Sequence, residues 1–576
     1  MFKNIFDIIH KKDRSTLNII ILLNILIFIF EFISLASVPI FVSISINSEF
    51  FIQKVNSFTN SEIFSQFSQK DLILFGGSFV IGAFLIKNVF LMYHTFLQGK
   101  FFKKIKVGLA NSLFNFYINS PYLYHLSNNP SSLSRNISSE IQNSSGYIFH
   151  VLALLKESLT IFVIITLLVF VNPIITLIVS SFLSILIIIY INKVKPLLKK
   201  RALQNQEILE RVTQTVFETF GAIKDLKILN KEKEIQKYFD SKIKILEQNT
   251  YFFSFYERFP RVILELISIV TITLVSLIYL NFNPNLISLI PTLTLLVVSL
   301  VRFIPAFSAI TTSITYIKHF EPSIKLIGKE IRKINANQND IKFKYNNLIS
   351  GSNSNNSKSF FSLENVSFSY PGSNIFPIRN INLNIEKASK IGITGKTGAG
   401  KSTLFHLMLG LLTPQKGNIF YKGSNIFSDL NNWRNKIGYI SQNIYLLDAS
   451  IKKNIAFNFL DEPIDEQKLN NAINIANLEQ KIADLPNGVN TVVGNDGVKL
   501  SGGERQRIAL ARAIYREPSI FFMDESTSAL DTKTEEIVMN NIKNKFKDKT
   551  MIIIAHRKST IEMCDKVLNL KDGSLI

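Results

Sequence analysis

Gly395-Lys396-Thr397-Gly398-Ala399-Gly400-Lys401-Ser402-Thr403 has residue types and spacing suited to holding a polyphosphate. Its glycines let successive backbone N–H groups curl around the anion, Lys401 reaches the outer phosphates, and the Ser402 hydroxyl can ligate Mg²⁺. The run follows an apolar segment, Lys390 to Thr394, that reads as a strand. It precedes Leu404 to Leu411, whose pattern predicts a helix with its N-terminus toward the phosphate. Further on, Ile520 to Glu525 is an apolar strand ending in two carboxylates. Beside a phosphate loop, Asp524 is placed to hold Mg²⁺ through water and Glu525 to polarise an attacking water. This chemistry implies ATP hydrolysis with ATP and Mg²⁺ as cofactors.

These residues are carried on a bipartite chain. The first half of its 576 residues is built of apolar runs, and the last third alternates strands and helices as an α/β nucleotide-binding domain does. Six runs are long enough to cross a bilayer, near Leu17 to Ile40, Leu72 to Leu97, Val151 to Val171, Ile174 to Ile191, Val262 to Leu280 and Leu286 to Thr315. The expected organisation is an N-terminal amphipathic helix over 1–14, an all-α transmembrane domain over 15–334, a polar linker over 335–359 and the ATPase domain over 360–576. Phe2, Ile5, Phe6 and Ile9 form the expected apolar side of the first helix. The N-terminal segment lacks the short apolar core and cleavage site of a signal peptide.

Cations crowd the second and fourth loops, as in Lys100, Lys103, Lys104, Lys106, Lys199, Lys200 and Arg201, which predicts cytoplasmic termini and a cytoplasmic ATPase. The net charge of +21 is therefore read as membrane topology and contact with anionic lipid, and no nucleic-acid partner is expected. Between Lys193 and Arg261 apolar residues recur at helical spacing, so spans four and five should continue as helices well beyond the bilayer. Breaks at Asn119 to Pro121, Asn128 to Pro130 and Gly221 to Lys231 mark hairpin tips that could reach the ATPase. The single Cys564 cannot form an intramolecular disulfide.

Leu500-Ser501-Gly502-Gly503-Glu504 resembles the signature of ABC transporters, with Glu504 where glutamine is commoner. The resemblance implies that Ser501, Gly502 and Gly503 of a second subunit close on the γ-phosphate, so that two copies sandwich ATP. It also implies that Tyr370 stacks on adenine, Gln442 senses Mg²⁺, and Ser528 to Asp531 joins the two sites. His556 resembles the switch histidine that contacts γ-phosphate. Six spans followed by one such domain resemble a half-transporter exporter of the type IV fold, working as a homodimer or with a paralogous half-transporter. Gly221 to Leu229 falls where such exporters place a coupling segment.

Lys87, Arg261 and Arg302 are ionisable residues in or at the spans, where charge is costly and functional. They suit an anionic cargo, or else form structural bridges with carboxylates such as Glu31 and Glu265. The whole chain also resembles the bacterial flippases of lipid-linked oligosaccharides, around Arg14 to Phe32, Phe259 to Arg261, Arg302 to Pro305 and Lys436 to Tyr445. That resemblance implies a polyprenyl-pyrophosphate glycan as substrate and an inner-membrane location. Lys87 stands where the resemblance implies arginine, keeping the charge but weakening bidentate phosphate recognition. A broad lipid or drug exporter and an ATP-gated channel are the competing expectations.

Overall fold

Sixty-four consecutive residues, Leu286–Ile349, form the longest helix of the protein. The structure is a computed structural model that describes residues 13–46, 67–171, 195–282, 286–349, 359–373, 375–460, 462–494, 497–524, 530–554 and 557–576, with isolated positions elsewhere. It divides into two compact units, 1–120 with 128–337, and 121–127 with 338–576.

The first unit is helical. Its long helices are α1 (Arg14–Ile46), α2 (Gln69–Asn119), α5 (Ile141–Val171), α6 (Lys195–Gly221), α8 (Glu232–Phe282) and α9 (Leu286–Ile349). Between them lie the short α3 (Tyr122–Ser127), α4 (Pro130–Arg135) and α7 (Ile223–Ile228), with a π-helical turn over Asn136–Glu140. Among the described residues, four helices are long and apolar enough to cross a membrane, within 14–46, 69–119, 130–170 and 293–335. The fifth expected span is continuous helix within α8, and the fourth, Ile174 to Ile191, lies almost wholly outside the described residues.

At 51 residues α2 is about 75 Å long, more than twice the thickness of a bilayer core of roughly 30 Å. Its apolar half is exposed along one side, with Phe75 at 63% and Met92 at 74%, as a lipid-facing surface requires. Ser68 starts it with a capping box, its hydroxyl 2.6 Å from Asp71 Oδ2. The apolar core of this unit joins Leu35 of α1, Ile164 and Leu167 of α5, Leu264 of α8 and Phe303 and Phe307 of α9.

Two expectations are revised. Ile5, Ile8 and Ile9 are buried at 3–4% while Phe6 is 39% exposed beneath the Arg14 guanidinium, 5.2 Å away. Helical spacing from Ile5 favours Ile8 and Ile9 over Phe6, so the buried side at these positions leaves out Phe6, while Phe2 lies outside the described residues. The segment expected as linker begins as helix, because α9 continues to Ile349, and 350–358 lies outside the described residues.

The hairpin tips fall where the breaks predicted. Ser120 ends α2 in an extended conformation before Pro121, and Asn129 caps α4 by accepting from Ser131 N–H at 3.0 Å. Gly221 ends α6, and α7 follows it before α8.

The second unit is an α/β domain with two sheets. An antiparallel sheet runs in the order β2 (Ile378–Ile385), β1 (Phe361–Phe368), β4 (Lys416–Tyr421), β5 (Ser424–Asn425). A mainly parallel sheet runs β10 (Ser574–Leu575), β9 (Lys566–Lys571), β3 (Lys390–Thr394), β8 (Thr550–Ile554), β7 (Ile520–Asp524), β6 (Ile437–Ile440). Its central strands are apolar through their middles, Ile391 to Ile393, Ile520 to Met523 and Met551 to Ile554, because both faces are covered. Ile393, Phe522 and Ile552 join the core beneath the antiparallel sheet, and Phe521, Met523 and Ile553 join a second core on the opposite face. Trp433 locks the first core by stacking on Phe361 at 5.2 Å and donating its Nε1–H to Met408 O at 3.0 Å. Pro121–Ser127 belongs to this unit, with Tyr122 and Leu123 packed against the first core.

Candidate functional site

The parallel sheet gathers the chemistry at one edge. Ile554 of β8 lies in register with Ile393 of β3 on one side and Asp524 of β7 on the other. The phosphate loop leaves β3, and Asp524 closes β7, at the carboxyl ends of the strands, where ligands of α/β sheets bind. β6 runs parallel to β7 and delivers Gln442, which is exposed, just beyond its end.

The loop enters α10 (Lys401–Met408) through Gly400, at φ 100°. A Cβ on Gly400 would lie 2.4 Å from Pro377 O, and one on Gly395 at φ 150° would lie 2.4 Å from Leu570 O. Any side chain at either position would collide with backbone, which explains glycine at both ends of the loop. Lys396, Thr397 and Gly398 are exposed at its tip, and Ala399 donates its N–H to Lys396 O at 3.1 Å. Lys401 is buried and curls back, its Nζ donating to Gly395 O at 2.7 Å and Lys396 O at 3.2 Å. That places an ammonium at the centre of the loop, where polyphosphate oxygens need it.

Ser402 is exposed in the first helical turn, and Thr403 is buried with its Oγ1 3.2 Å from the Tyr370 hydroxyl. Tyr370 thus stands against the phosphate-loop helix, braced edge-on by Phe368 at 5.1 Å. A serine hydroxyl and a buried aspartate are oxygen donors of the kind Mg²⁺ selects when phosphates and waters complete its shell.

Glu525, Ser528 and His556 lie outside the described residues. Their neighbours are ordered by a network that sequence reasoning missed. Arg557 donates to Leu530 O at 3.2 Å and to Glu535 Oε2 at 2.6 Å, and Thr560 donates to Glu535 at 3.2 Å. Arg557 is thereby tied to the segment ahead of Asp531. Asp531 caps the helix α14 (Thr532–Lys545), with the helices α11 (Ile451–Ala456), α12 (Glu466–Ile475) and α13 (Gly502–Tyr515) preceding it. Its carboxylate accepts from Thr534 N–H at 3.0 Å, and that bond holds its pKa below the usual value.

Ser501 is the N-cap of α13. Its hydroxyl accepts from Glu504 N–H at 3.2 Å, while Ser501 N–H donates to Glu504 Oε2 at 2.8 Å. The Ser501 hydroxyl also hydrogen-bonds the Glu504 carboxylate, and Gly502 and Gly503 open the first turn of the helix. Glu504 also pairs with Lys481 Nζ at 3.0 Å. Burial pushes its carboxyl up, but the Ser501 N–H and the Lys481 ammonium outweigh burial and hold it below the ordinary range. These two bonds account for glutamate here.

A second group of sequence candidates lies in the helical unit. Glu31 of α1 accepts a hydrogen bond from Arg302 Nε of α9 and lies 3.4 Å from Arg302 Nη2. Lys87 of α2 is 3.8 Å from the same carboxylate. The structure thus brings Lys87 and Arg302 together on one anion. Arg261 and Glu265 are exposed on α8, and Arg261 is in no ion pair among the described residues.

Comparison with known proteins agrees with this architecture. The family model "ABC transporter transmembrane region" matches residues 40–300 and "ABC transporter" matches residues 378–528. The chain is 38% identical over 213 residues to the ATP-dependent lipid A-core flippase of Salmonella typhimurium, covering 37% of this chain and 36% of that protein. It is 37% identical over 220 residues to the leukotoxin translocation ATP-binding protein LktB of Mannheimia haemolytica, covering 38% of this chain and 31% of that one. The alignments thus span about a third of these curated relatives' length. A bacterial Atm1-family ABC exporter with ATP bound shares the fold over 97% of this chain and 95% of its own, with a TM-score of 0.70 at 19% identity. With a transmembrane region followed by an ATPase domain, each matched by its own family model, the chain belongs to the ABC transporter superfamily.

Proposed function

We propose that the chain is one half of a dimeric, ATP-driven exporter that moves an anionic lipid-linked oligosaccharide, a polyprenyl-pyrophosphate glycan, from the cytoplasmic to the outer leaflet of the inner membrane. The observation that carries the cargo assignment is the pair of cations, Lys87 and Arg302, set among membrane helices around a single carboxylate. Such intramembrane charge is retained where it serves a substrate path. The sequence resemblance to the oligosaccharide flippase PglK supports it, as does the lipid cargo in the name of the flippase relative.

In this reading Gly395 to Thr403 cradle the phosphates through backbone N–H groups, and Lys401 exchanges its loop carbonyls for phosphate oxygens. Tyr370 stacks on adenine. Ser402 and Asp524 hold Mg²⁺, with Gln442 beside them, and the ion when bound neutralises phosphate charge. Glu525 orients and polarises the attacking water, and His556 contacts the γ-phosphate. Ser501 to Gly503 of the second copy, a homodimer partner or a paralogue, complete the site with the Ser501 hydroxyl and two glycine N–H groups, and Glu504 fixes their geometry. Asp531 anchors the segment that links the two sites. Lys87, Arg261 and Arg302 receive the anionic headgroup. The loop cations keep both termini cytoplasmic.

A broader lipid or drug exporter is the second reading, favoured because the relatives named for lipid and for leukotoxin match this chain equally well. Purified protein assayed for ATPase stimulation by a lipid-linked oligosaccharide beside hydrophobic drugs separates the two. Stimulation by drugs alone would favour the second.

A further inference from the structure

We propose that Glu31 is the built-in counter-anion of the cargo site, holding Lys87 and Arg302 until an anionic headgroup exchanges for it. The inference rests on the cargo reading above and adds a residue and an exchange step to it. The Glu31 side chain is 1% exposed, that of Lys87 10% and that of Arg302 31%. The carboxylate is therefore enclosed, while one of its two cations opens to the surroundings. Arg302 presents both Nε and Nη2 to the two carboxylate oxygens, the fork with which guanidinium binds carboxylate or phosphate alike.

Two cations share one anion, so the cluster keeps a net positive charge. A pyrophosphate carries more negative charge than Glu31 and offers more oxygens, and so can replace it on both cations. A zwitterionic or uncharged headgroup cannot. The three groups sit on α1, α2 and α9, and a buried carboxylate stripped of its partners is costly. Headgroup entry must then move α1 away from α2 and α9, which makes loading itself a conformational event. When the headgroup leaves, Glu31 returns to the cations and blocks rebinding. It lowers affinity in order to select against uncharged lipids and to speed release.

The test uses the full-length protein in phosphatidylcholine nanodiscs, with farnesyl pyrophosphate as probe and farnesol as uncharged control. Glu31→Gln should bind the pyrophosphate at least about tenfold more tightly and release it more slowly, since a competing charge has gone. Glu31→Asp keeps the charge on a shorter arm, so it folds safely and should tighten binding by roughly two- to fivefold. Farnesol binding should not move in either variant. Unchanged pyrophosphate affinity in both Glu31 variants, with weaker binding in Lys87→Ala and Arg302→Ala, overturns the exchange and leaves the cargo reading standing. Unchanged affinity in all four, or binding in none, overturns both.

Discussion

The ring of Tyr122 stands edge-on to the imidazole of His406, with 5.3 Å between centroids and 69° between planes. Tyr122 lies at the tip of the first hairpin, and His406 lies on α10, the helix that begins at Lys401. Tyr439 of β6 packs against the same core as Tyr122, and its phenol is pushed up to about 12 by burial, Asp524 and Tyr122. The tip residue Tyr122 thus packs directly on the helix that begins at Lys401. Tyr122→Ala should lower transport per ATP hydrolysed severalfold, with a contact worth about 1 kcal/mol lost. Simultaneous assay of flipping and phosphate release checks this, and an unchanged ratio would remove Tyr122 from the coupling route.

His406 supplies a pH prediction. Burial holds its pKa below the ordinary value, and its Nδ1 is buried without a hydrogen-bond partner among the described residues. The unfolded chain therefore binds the proton more readily than the folded one. Its stabilising contribution is complete above the unfolded histidine pKa and declines as pH falls through the lowered folded value. The thermal midpoint of detergent-solubilised protein should drop on acidification, and His406→Gln should flatten that drop.

At the signature segment, Glu504→Gln preserves the acceptor for Ser501 N–H but loses the ion pair with Lys481. ATPase activity should change less than about twofold, because glutamine also completes a capping box. Glu504→Ala removes the cap, with a cost of about 1 kcal/mol at the α13 terminus, and activity should fall about five- to tenfold. Equal activity of the two variants would show that the cap does not position Ser501.

The cation variants should separate by stability. Arg302→Ala leaves Glu31 with Lys87 alone at 3.8 Å and should cost about 3 kcal/mol, whereas Arg261→Ala, exposed and outside the cluster, should leave the thermal midpoint nearly unchanged. All three of Lys87→Ala, Arg261→Ala and Arg302→Ala should reduce flipping more than basal hydrolysis. Equal melting of the Arg261 and Arg302 variants would contradict the burial of the Glu31 cluster.

The ATPase domain was legible in the sequence because its chemistry is local. A glycine-lysine loop between an apolar strand and a helix, and carboxylates closing another strand, are short-range patterns that the β3, β8, β7 order then brings to one edge. The hairpin breaks were legible for the same reason, since Asn119-Ser120-Pro121 and Asn128-Asn129-Pro130 are short-range turn signals. Contacts between distant helices were not. Glu31 and Arg302 are separated by 271 positions, and the sequence offered Glu31 only as one of two carboxylates that could bridge the span cations, without saying which cation it meets. Tyr122 and His406 meet only because α3 folds onto the α/β unit. The face of the first helix was misjudged at Phe6 and Ile8, where several apolar residues in a short segment fit more than one helical stripe. The capping role of Glu504 was readable from Ser501 three residues before it, but its pairing with Lys481 required the fold.

ATP-dependent flipping of a fluorescent polyprenyl-pyrophosphate oligosaccharide in proteoliposomes, with Glu525→Gln as the control, tests the central claim most directly. Wild-type protein with ATP and Mg²⁺ should flip the lipid well above protein-free vesicles, and Glu525→Gln should bind ATP yet flip none. Active hydrolysis with no flipping above background, or full flipping by Glu525→Gln, would contradict the account.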